Sequence, residues 1–187
     1  VYKDDFGELT EAREKFSYYP DDIWLYIMAA QWTKIAQEEA FMGRCGDVDD
    51  EIGSRLIAAR LIKELMQLCF LMERRYAPYG KWFGTAFKNL DCANSLHPSM
   101  SAVLEQTNWI SRQDCLSIVY ELVANIFNEK RILDQPLHTS VSNYHTRPYK
   151  VINAGIFAAK LKEKIASFDV QNLPPNIGCI NQFIDST

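Results

Sequence analysis

The stretch DVDDEIGSRLIAARLIKELMQLCFLMERRYAP, residues 47–78, decides the fold of this chain. Its leading aspartates offer N-cap oxygens and negative charge at the positive end of a helix dipole, and Pro78 stops the helix because proline lacks a backbone N–H. Between Ile52 and Met72 the apolar positions spread from one stripe to nearly the whole circumference. We therefore predict a long helix at the centre of a helical bundle.

The charged residues that interrupt this helix need partners, because an isolated charge is costly inside a protein. Arg55 and Arg60 point about 140° apart around the helix axis, at roughly 100° per residue, so they do not easily share one site. We expect either arginine to pair with an acid on the preceding helix, such as Glu38 or Glu39. A ligand is the alternative partner.

The composition predicts one helical domain over residues 1–187. With 187 residues, of which 48% are hydrophobic and 12% aromatic, the chain can bury a sizeable core. The net charge of −4 lacks the basic surplus of general nucleic-acid-binding proteins, so nucleic acid is not an expected partner. No apolar run suits a membrane span and no signal-peptide pattern is present, so we expect a cytoplasmic protein without membrane contact.

The cysteines predict reduced, structural thiols. They are widely spaced, with no C-x-x-C pair and no histidine at metal-ligand spacing. Cys69, Cys92 and Cys115 fall among apolar residues, where a free cysteine behaves as a small hydrophobe. We therefore expect no metal ligands in this chain.

Apolar residues at helical spacing predict further helices on both sides of the central one. No alternating strand pattern exceeds four residues, so the predicted class is all-α, a bundle of three to four long helices plus short ones. The predicted segments are a short helix over 10–18, a strong helix from Asp21 that fades toward Gly43 and Gly46, short helices over 81–90 and 97–106, long helices over 111–130 and 151–168, and a terminal turn over 180–184.

Residues 133–149 lack periodicity and predict an irregular loop, which at this length is commonly functional or mobile. Within it, Tyr144, His145, Arg147 and Tyr149 place an imidazole and a guanidinium among aromatic rings. This combination suits a phosphate or a carboxylate.

A second candidate site lies at and beyond the end of the central helix. Arginine and lysine beside flat rings can bind a phosphate and stack a base, which indicates a nucleotide. The structural interpretation has the stronger physical basis, since cations complement the end of a helix dipole and rings close a core. The residues of this cluster are Glu73, Arg74, Arg75, Tyr76, Tyr79, Lys81 and Trp82.

Arg131 and His138, with six residues between them, offer another function. Their spacing resembles the arginine and histidine pair of the helical HEPN ribonucleases, which cut RNA with that pair across a dimer. Pro136 lies inside the interval and departs from the usual helical setting. The sequence has no phosphate-binding glycine loop, no HExxH motif and no nucleophile elbow.

Long strings of the sequence resemble one known family. From about Gly7 to Thr187 the chain resembles the C-terminal helical half of a bacterial family of uncharacterised proteins, whose N-terminal half is a polymerase-beta-like nucleotidyltransferase head. Together with the start at Val1, this predicts a piece of a longer protein. The strings are GELTEAREKFSYYPDDIWLY (7–26), AAQWTKIAQEEAFMGRCGDVDDEIGSRLIAARLIKELMQLCFLMERRYAPYGKWFGTAF (29–87), HTRPYKVI (145–152) and INQFIDST (180–187).

The resemblance implies that the head, as a partner in the same chain, supplies a Gly-Ser loop and metal-binding acids. The helical half would pack over it and complete the nucleotide or acceptor pocket, as in the aminoglycoside nucleotidyltransferases. Gly53-Ser54 is not that loop, because the helix after it has no D-x-D or D-x-E pair. We therefore expect this chain to be inert alone, and magnesium and a nucleoside triphosphate to bind the full-length protein together with an unknown small-molecule acceptor.

If the helical half contributes to that active site, we expect its basic residues to contact the triphosphate and its aromatic residues the base or the acceptor. Glu73 is the candidate general base toward an acceptor hydroxyl. The alternative is a stand-alone HEPN-like module, of ribonuclease or toxin-antitoxin type, or a partner-binding bundle. The candidate nucleotide- or substrate-binding residues are Arg55, Arg74, Tyr76, Lys81, Trp82 and Arg147.

Overall fold

The computed structural model describes residues 3–182, apart from the side chain at position 181, and confirms the predicted all-α class. None of the helices in this part of the chain is both long and apolar enough to cross a membrane. The elements are α1 Glu8–Lys15, α2 Asp21–Glu38, α3 Phe41–Gly46, α4 Glu51–Met72, α5 Gly80–Phe87, α6 Ala93–Glu105, α7 Trp109–Glu129, β1 Ser142–Asn143, β2 Lys150–Val151, α8 Ala154–Lys164, α9 Phe168–Gln171 and a 3-10 turn at Ile180–Gln182.

The central helix is α4, as predicted, and it contacts α2, α3, α6 and α7. The side chain of Asp50 caps its start by accepting a hydrogen bond from the Gly53 N–H at 2.8 Å. Residues 68–72 at its end are all buried. Ile52 and Leu56 are 76% and 61% exposed, however, so the prediction of an enclosed helix is confirmed only for the C-terminal half.

The end of α4 differs from the prediction. The helix stops at Met72, well before Pro78. Arg74 adopts a left-handed conformation with φ of 52°, and its N–H donates to the Leu71 carbonyl at 3.1 Å, a helix-ending arrangement usually built on glycine. The indole N–H of Trp24 donates to the same carbonyl at 2.7 Å. A contact from α2, rather than the proline, therefore accompanies the stop.

The aromatic centre of the core joins three helices. Trp32 of α2 stacks on Phe157 of α8 with ring centroids 4.3 Å apart, and Phe127 of α7 packs edge-on against both rings. All three rings are buried, and burial of large apolar surface is the main favourable term in folding. This contact holds α2 between α8 and the central helix.

Several polar positions of α4 have partners, as predicted. Arg60 forms an ion pair with Glu38 of α2, which confirms one of the expected pairings. Glu64 accepts hydrogen bonds from Gln31 at 2.7 Å and from Lys34 at 2.9 Å. Gln31 is fully buried, and its side-chain N–H group also donates to the Glu64 backbone carbonyl at 2.9 Å, so its amide is paired in the core.

Two helices begin elsewhere than the sequence predicts. α6 begins at Ala93 and contains Pro98 in its interior, although the proline predicts the start of a helix. α8 begins at Ala154, and the predicted helix over 151–168 is divided into α8 and α9. The Glu39 carboxylate accepts hydrogen bonds from the N–H groups of residues 152 and 154, at 2.9 and 3.4 Å, so a distant side chain caps α8.

The C-terminal segment folds back on α2. The side-chain amide of Gln182 is buried and donates to Gln31 at 2.8 Å and to the Ile27 carbonyl at 3.1 Å. The 3-10 turn at Ile180–Gln182 matches the first part of the predicted turn, and residues 183 and 184 of that prediction lie outside the described residues.

Candidate functional site

An open groove with a volume of about 910 Å³ lies between α3, the start of α4 and the hairpin formed by β1 and β2. It contains two arginines from distant parts of the chain, and we call it the arginine groove. The side chains that define it are Phe41, Arg44, Asp47, Tyr144, Arg147 and Tyr149.

The hairpin presents Arg147 at its turn. Ser142 and Asn143 pair antiparallel with Val151 and Lys150 respectively. The turn is closed by the Tyr144 N–H, which donates to the Tyr149 carbonyl at 2.7 Å, and by the Arg147 N–H, which donates to the Tyr144 carbonyl at 3.0 Å. The irregular loop predicted over 133–149 therefore ends in an ordered turn that displays the guanidinium.

The hairpin is attached to α7 by one side-chain amide. Gln113 accepts a hydrogen bond from the Lys150 N–H at 3.0 Å and donates to the Pro148 carbonyl at 3.2 Å. Both bonds are to backbone atoms that flank Tyr149, so α7 helps to fix the position of the turn relative to the groove.

A second attachment crosses the groove to the end of α3. The Tyr149 hydroxyl donates to the Asp47 carboxylate at 2.7 Å. That hydrogen bond raises the pKa of the Tyr149 phenol above its ordinary value, and burial of the hydroxyl adds to the shift. The phenol therefore stays protonated and donates to Asp47.

Two arginines and two aspartates line the groove, so its formal charges balance and the partners of each group decide what it can bind. The Asp50 carboxylate is occupied by the N-cap of α4. Arg44 lies over the ring of Phe41, 5.4 Å from its centroid. Among residues 3–182 neither Arg44 nor Arg147 forms an ion pair, so both guanidinium groups can bind phosphate or carboxylate oxygens.

The other predicted site residues lie away from this groove. Glu73 accepts hydrogen bonds from the N–H groups of Asp91 and Cys92, at 2.9 Å each, just ahead of α6. Burial opposes ionisation of Glu73, but these N–H groups outweigh it and hold its pKa below the ordinary value. Both carboxylate oxygens are thus engaged, an arrangement typical of a helix cap and unfavourable for the predicted general base.

Arg74 is held by neighbours on α2. Its guanidinium forms an ion pair with Asp21 at 2.6 Å and lies over the Trp24 ring at 4.0 Å. Tyr76 packs among other tyrosines, with its centroid 5.1 Å from Tyr18 and 5.0 Å from Tyr19. These contacts agree with the structural interpretation of the cluster, and binding roles for both residues stay predictions.

Lys81 and Trp82 lie together on the exposed side of α5, with the ammonium 5.1 Å from the indole centroid. Arg55 donates to the Thr107 carbonyl at 3.1 Å, and at about 1.5 Å per residue it lies about 25 Å from the end of α4. The structure therefore does not bring the predicted residues into one pocket. Only Arg147 of that set lines the arginine groove.

The sequence did not predict two arginines that matter here. Arg44 lies on α3, whose glycines Gly43 and Gly46 suggested only the fading end of α2. Arg112 is 1% exposed and donates to Ser54 at 2.6 Å and to Glu51 at 3.0 Å, which ties α7 to the start of α4. No local pattern marks α3, because the two glycines of Gly-Arg-Cys-Gly disfavour a helix.

In the described part of the chain, no group of three or more histidine, cysteine, aspartate or glutamate side chains is arranged to hold a metal ion.

The interval between Arg131 and His138 is irregular rather than helical, and both side chains are exposed.

Comparison with known proteins gives one similarity. No curated protein and no solved structure matches the chain. A family model matches residues 1–83, a region shorter than the resemblance from Gly7 to Thr187, and this region contains Arg44 and Asp47 but not Arg147. The matching family is described as a domain of unknown function (DUF4037), so this part of the chain is similar to an uncharacterised family.

Proposed function

We propose that this chain is the accessory, substrate-binding helical domain of a nucleotidyltransferase, and that the arginine groove binds phosphate groups of the nucleotide or an anionic acceptor. The observation that carries the proposal is the pair Arg44 and Arg147, which face one groove without ion-pair partners among residues 3–182. Paired guanidinium groups are a common solution for phosphate recognition.

An apolar stripe beside the groove supports a contact with a catalytic domain. Val48, Ile52 and Leu56 are spaced four residues apart, and they are 73%, 76% and 61% exposed. Leu56 lines a shallow groove of about 540 Å³, which shares Cys45 and Ile57 with the arginine groove, and Val48 lines the arginine groove itself. Exposed apolar surface of this kind marks an interaction site, and its continuity with the anion site suits the catalytic head as the occupant.

In this proposal the catalytic head carries out the reaction and the helical domain binds the substrate. The head would supply the Gly-Ser loop, the acids and the bound magnesium, while this chain orients the anionic groups and excludes water. We expect no nucleotide transfer by this chain alone. The bacterial origin, the cytoplasmic location and the single-domain assignment are further parts of the proposal.

The test uses the whole polypeptide that the gene encodes, beside residues 1–187 alone. We expect magnesium and a nucleoside triphosphate to raise the melting temperature of the whole polypeptide, with each of the four nucleotides tried in turn. Combined Arg44→Ala and Arg147→Ala substitutions should remove most of that shift, whereas Arg13→Ala on the exposed surface of α1 should leave it unchanged. Absence of stabilisation in both proteins, or a gene without a Gly-Ser loop and paired acids upstream, would contradict the proposal.

The HEPN-like alternative concerns the loop that follows α7. The side-chain amide of Asn128 donates to the Leu137 carbonyl at 2.8 Å and accepts from the Leu137 N–H at 3.0 Å. These bonds close the loop between Arg131 and His138 at the end of α7. RNA cleavage by a dimer of the chain, abolished by His138→Ala, would favour this function over the first.

A further inference from the structure

A second groove, which we call the lysine groove, lies between α4, α5 and α6 and has a volume of about 370 Å³. Lys81, Lys88 and His97 line it, and no acidic side chain does. In the whole chain acidic residues outnumber lysine and arginine by 24 to 20, so this lining reverses the overall charge balance. A concave surface with one sign of charge concentrates ligands of the opposite sign.

The basic groups of the lysine groove are not used by the fold. Over the described residues, none of Lys81, Lys88 and His97 forms an ion pair, and the Lys81 ammonium lies over the Trp82 ring. The hydroxyl groups of Thr85 and Ser101 also face the groove and have no hydrogen-bond partner within residues 3–182. The groove therefore offers several donors to one ligand head group.

The floor of the groove is apolar. Phe87 and Met100 are buried beneath it, and Ile62 and Met66 of α4 extend the apolar surface on one side. Donors around an apolar base are the usual composition of a small-molecule site, and the volume lies in the lower part of the typical range of roughly 300–1,000 Å³.

Gly84 lies beside open space at the lysine groove. It lines the groove from α5, and a Cβ placed there would have no atom within 4 Å. A glycine inside a helix costs about 1 kcal/mol relative to alanine, and no close contact requires one at this position. Alanine therefore fits at this position, and only a much larger side chain would reach into the groove.

We propose that the lysine groove binds a small organic anion, with a carboxylate or phosphate head near Lys81, Lys88 and His97 and an apolar body over Phe87 and Met100. This site is separate from the arginine groove and does not depend on the proposed transferase role. The two grooves share no lining residue.

The experiment measures binding of four probes to the full chain: 1-naphthoate, 1-naphthyl phosphate, uncharged 1-naphthol and inorganic phosphate. Calorimetry gives the affinities, and ring proton shifts of His97 in NMR spectra report the location. We expect both naphthyl anions to bind and to shift His97, and 1-naphthol and inorganic phosphate to bind at least roughly tenfold more weakly. The tighter of the two anions identifies the preferred head group.

Variants locate the site. Gly84→Phe, which fills open space, should weaken binding of the naphthyl anions roughly tenfold or more, while Gly84→Ala is the matched control with little effect. Lys88→Ala with His97→Ala should weaken the anions but not 1-naphthol. Equal binding of 1-naphthol, unchanged binding by Gly84→Phe, loss of binding by Arg147→Ala, or no binding of either anion would each overturn the proposal.

Discussion

The Tyr149 hydroxyl and the Asp47 carboxylate, 2.7 Å apart, join the hairpin that carries Arg147 to the end of the helix that carries Arg44. Together with the two hydrogen bonds of Gln113, this bond sets the spacing of the two guanidinium groups across the arginine groove. Asp47 is exposed to solvent, so the bond contributes more to local geometry than to global stability.

Tyr149→Phe tests this link. We expect a loss of only about 1 kcal/mol in the free energy of unfolding, because water can solvate Asp47 once the hydroxyl is removed. Amide hydrogen exchange should nevertheless accelerate at Tyr144 and Arg147, whose N–H groups close the turn. Exchange rates at the turn that match the wild type would show that Gln113 alone holds the hairpin.

Gly46→Ala tests the packing of α3. A Cβ at this position would lie 2.1 Å from Cγ of Trp109, which is far below van der Waals contact. We expect a loss of about 2–3 kcal/mol in urea unfolding, because α3 or the indole must move. Gly84→Ala is the matched control, since its Cβ meets open space, and should stabilise the protein by up to about 1 kcal/mol. Equal effects of the two substitutions would argue against the close contact at Trp109.

Arg112→Met tests the buried arginine. The substitution leaves the Ser54 hydroxyl and the Gln106 carbonyl without their donor and leaves Glu51 without its ion pair. We expect a loss of about 3 kcal/mol in the free energy of unfolding. Arg55→Ala, on the exposed face of α4, is the control and should cost less than about 1 kcal/mol.

Glu39→Gln tests a pH dependence. Burial raises the pKa of Glu39 to about 7, although the N–H groups of Ala154 and Ile152 act in the opposite direction. Because the folded state holds the proton more tightly, this group contributes stability below its ordinary pKa of 4.5, and the contribution is lost as the pH rises through about 7.

Wild-type protein should therefore lose about 3 kcal/mol of stability from this group between pH 4.5 and 7.5, since one pKa unit corresponds to about 1.4 kcal/mol. Glu39→Gln keeps an oxygen for the Ile152 N–H and should flatten this slope. Urea unfolding at a series of pH values measures it, with the exposed Glu163→Gln as the control. Parallel pH profiles for wild type and Glu39→Gln would contradict the raised pKa.

Much of the helical architecture follows from local sequence. Apolar spacing at helical period predicts α2, α4 and α7, and Asp50 caps α4 as an aspartate before an apolar run should. Arg60 pairs with Glu38, as expected for a cation between packed helices. These features depend on neighbours within a few residues or on burial of whole faces, which the sequence records directly.

The boundaries of the helices and the candidate site depend on tertiary contacts. Trp24 reaches the last turn of α4, Glu39 caps α8 and Glu73 caps the start of α6, so each limit is set by a side chain far away in the sequence. The sequence by itself determined that this chain forms a helical bundle around one long apolar helix within residues 47–78. Only the tertiary structure decided that Arg44 and Arg147 face one groove, because the hydrogen bonds that join a distant hairpin to Gln113 and Asp47 have no local pattern.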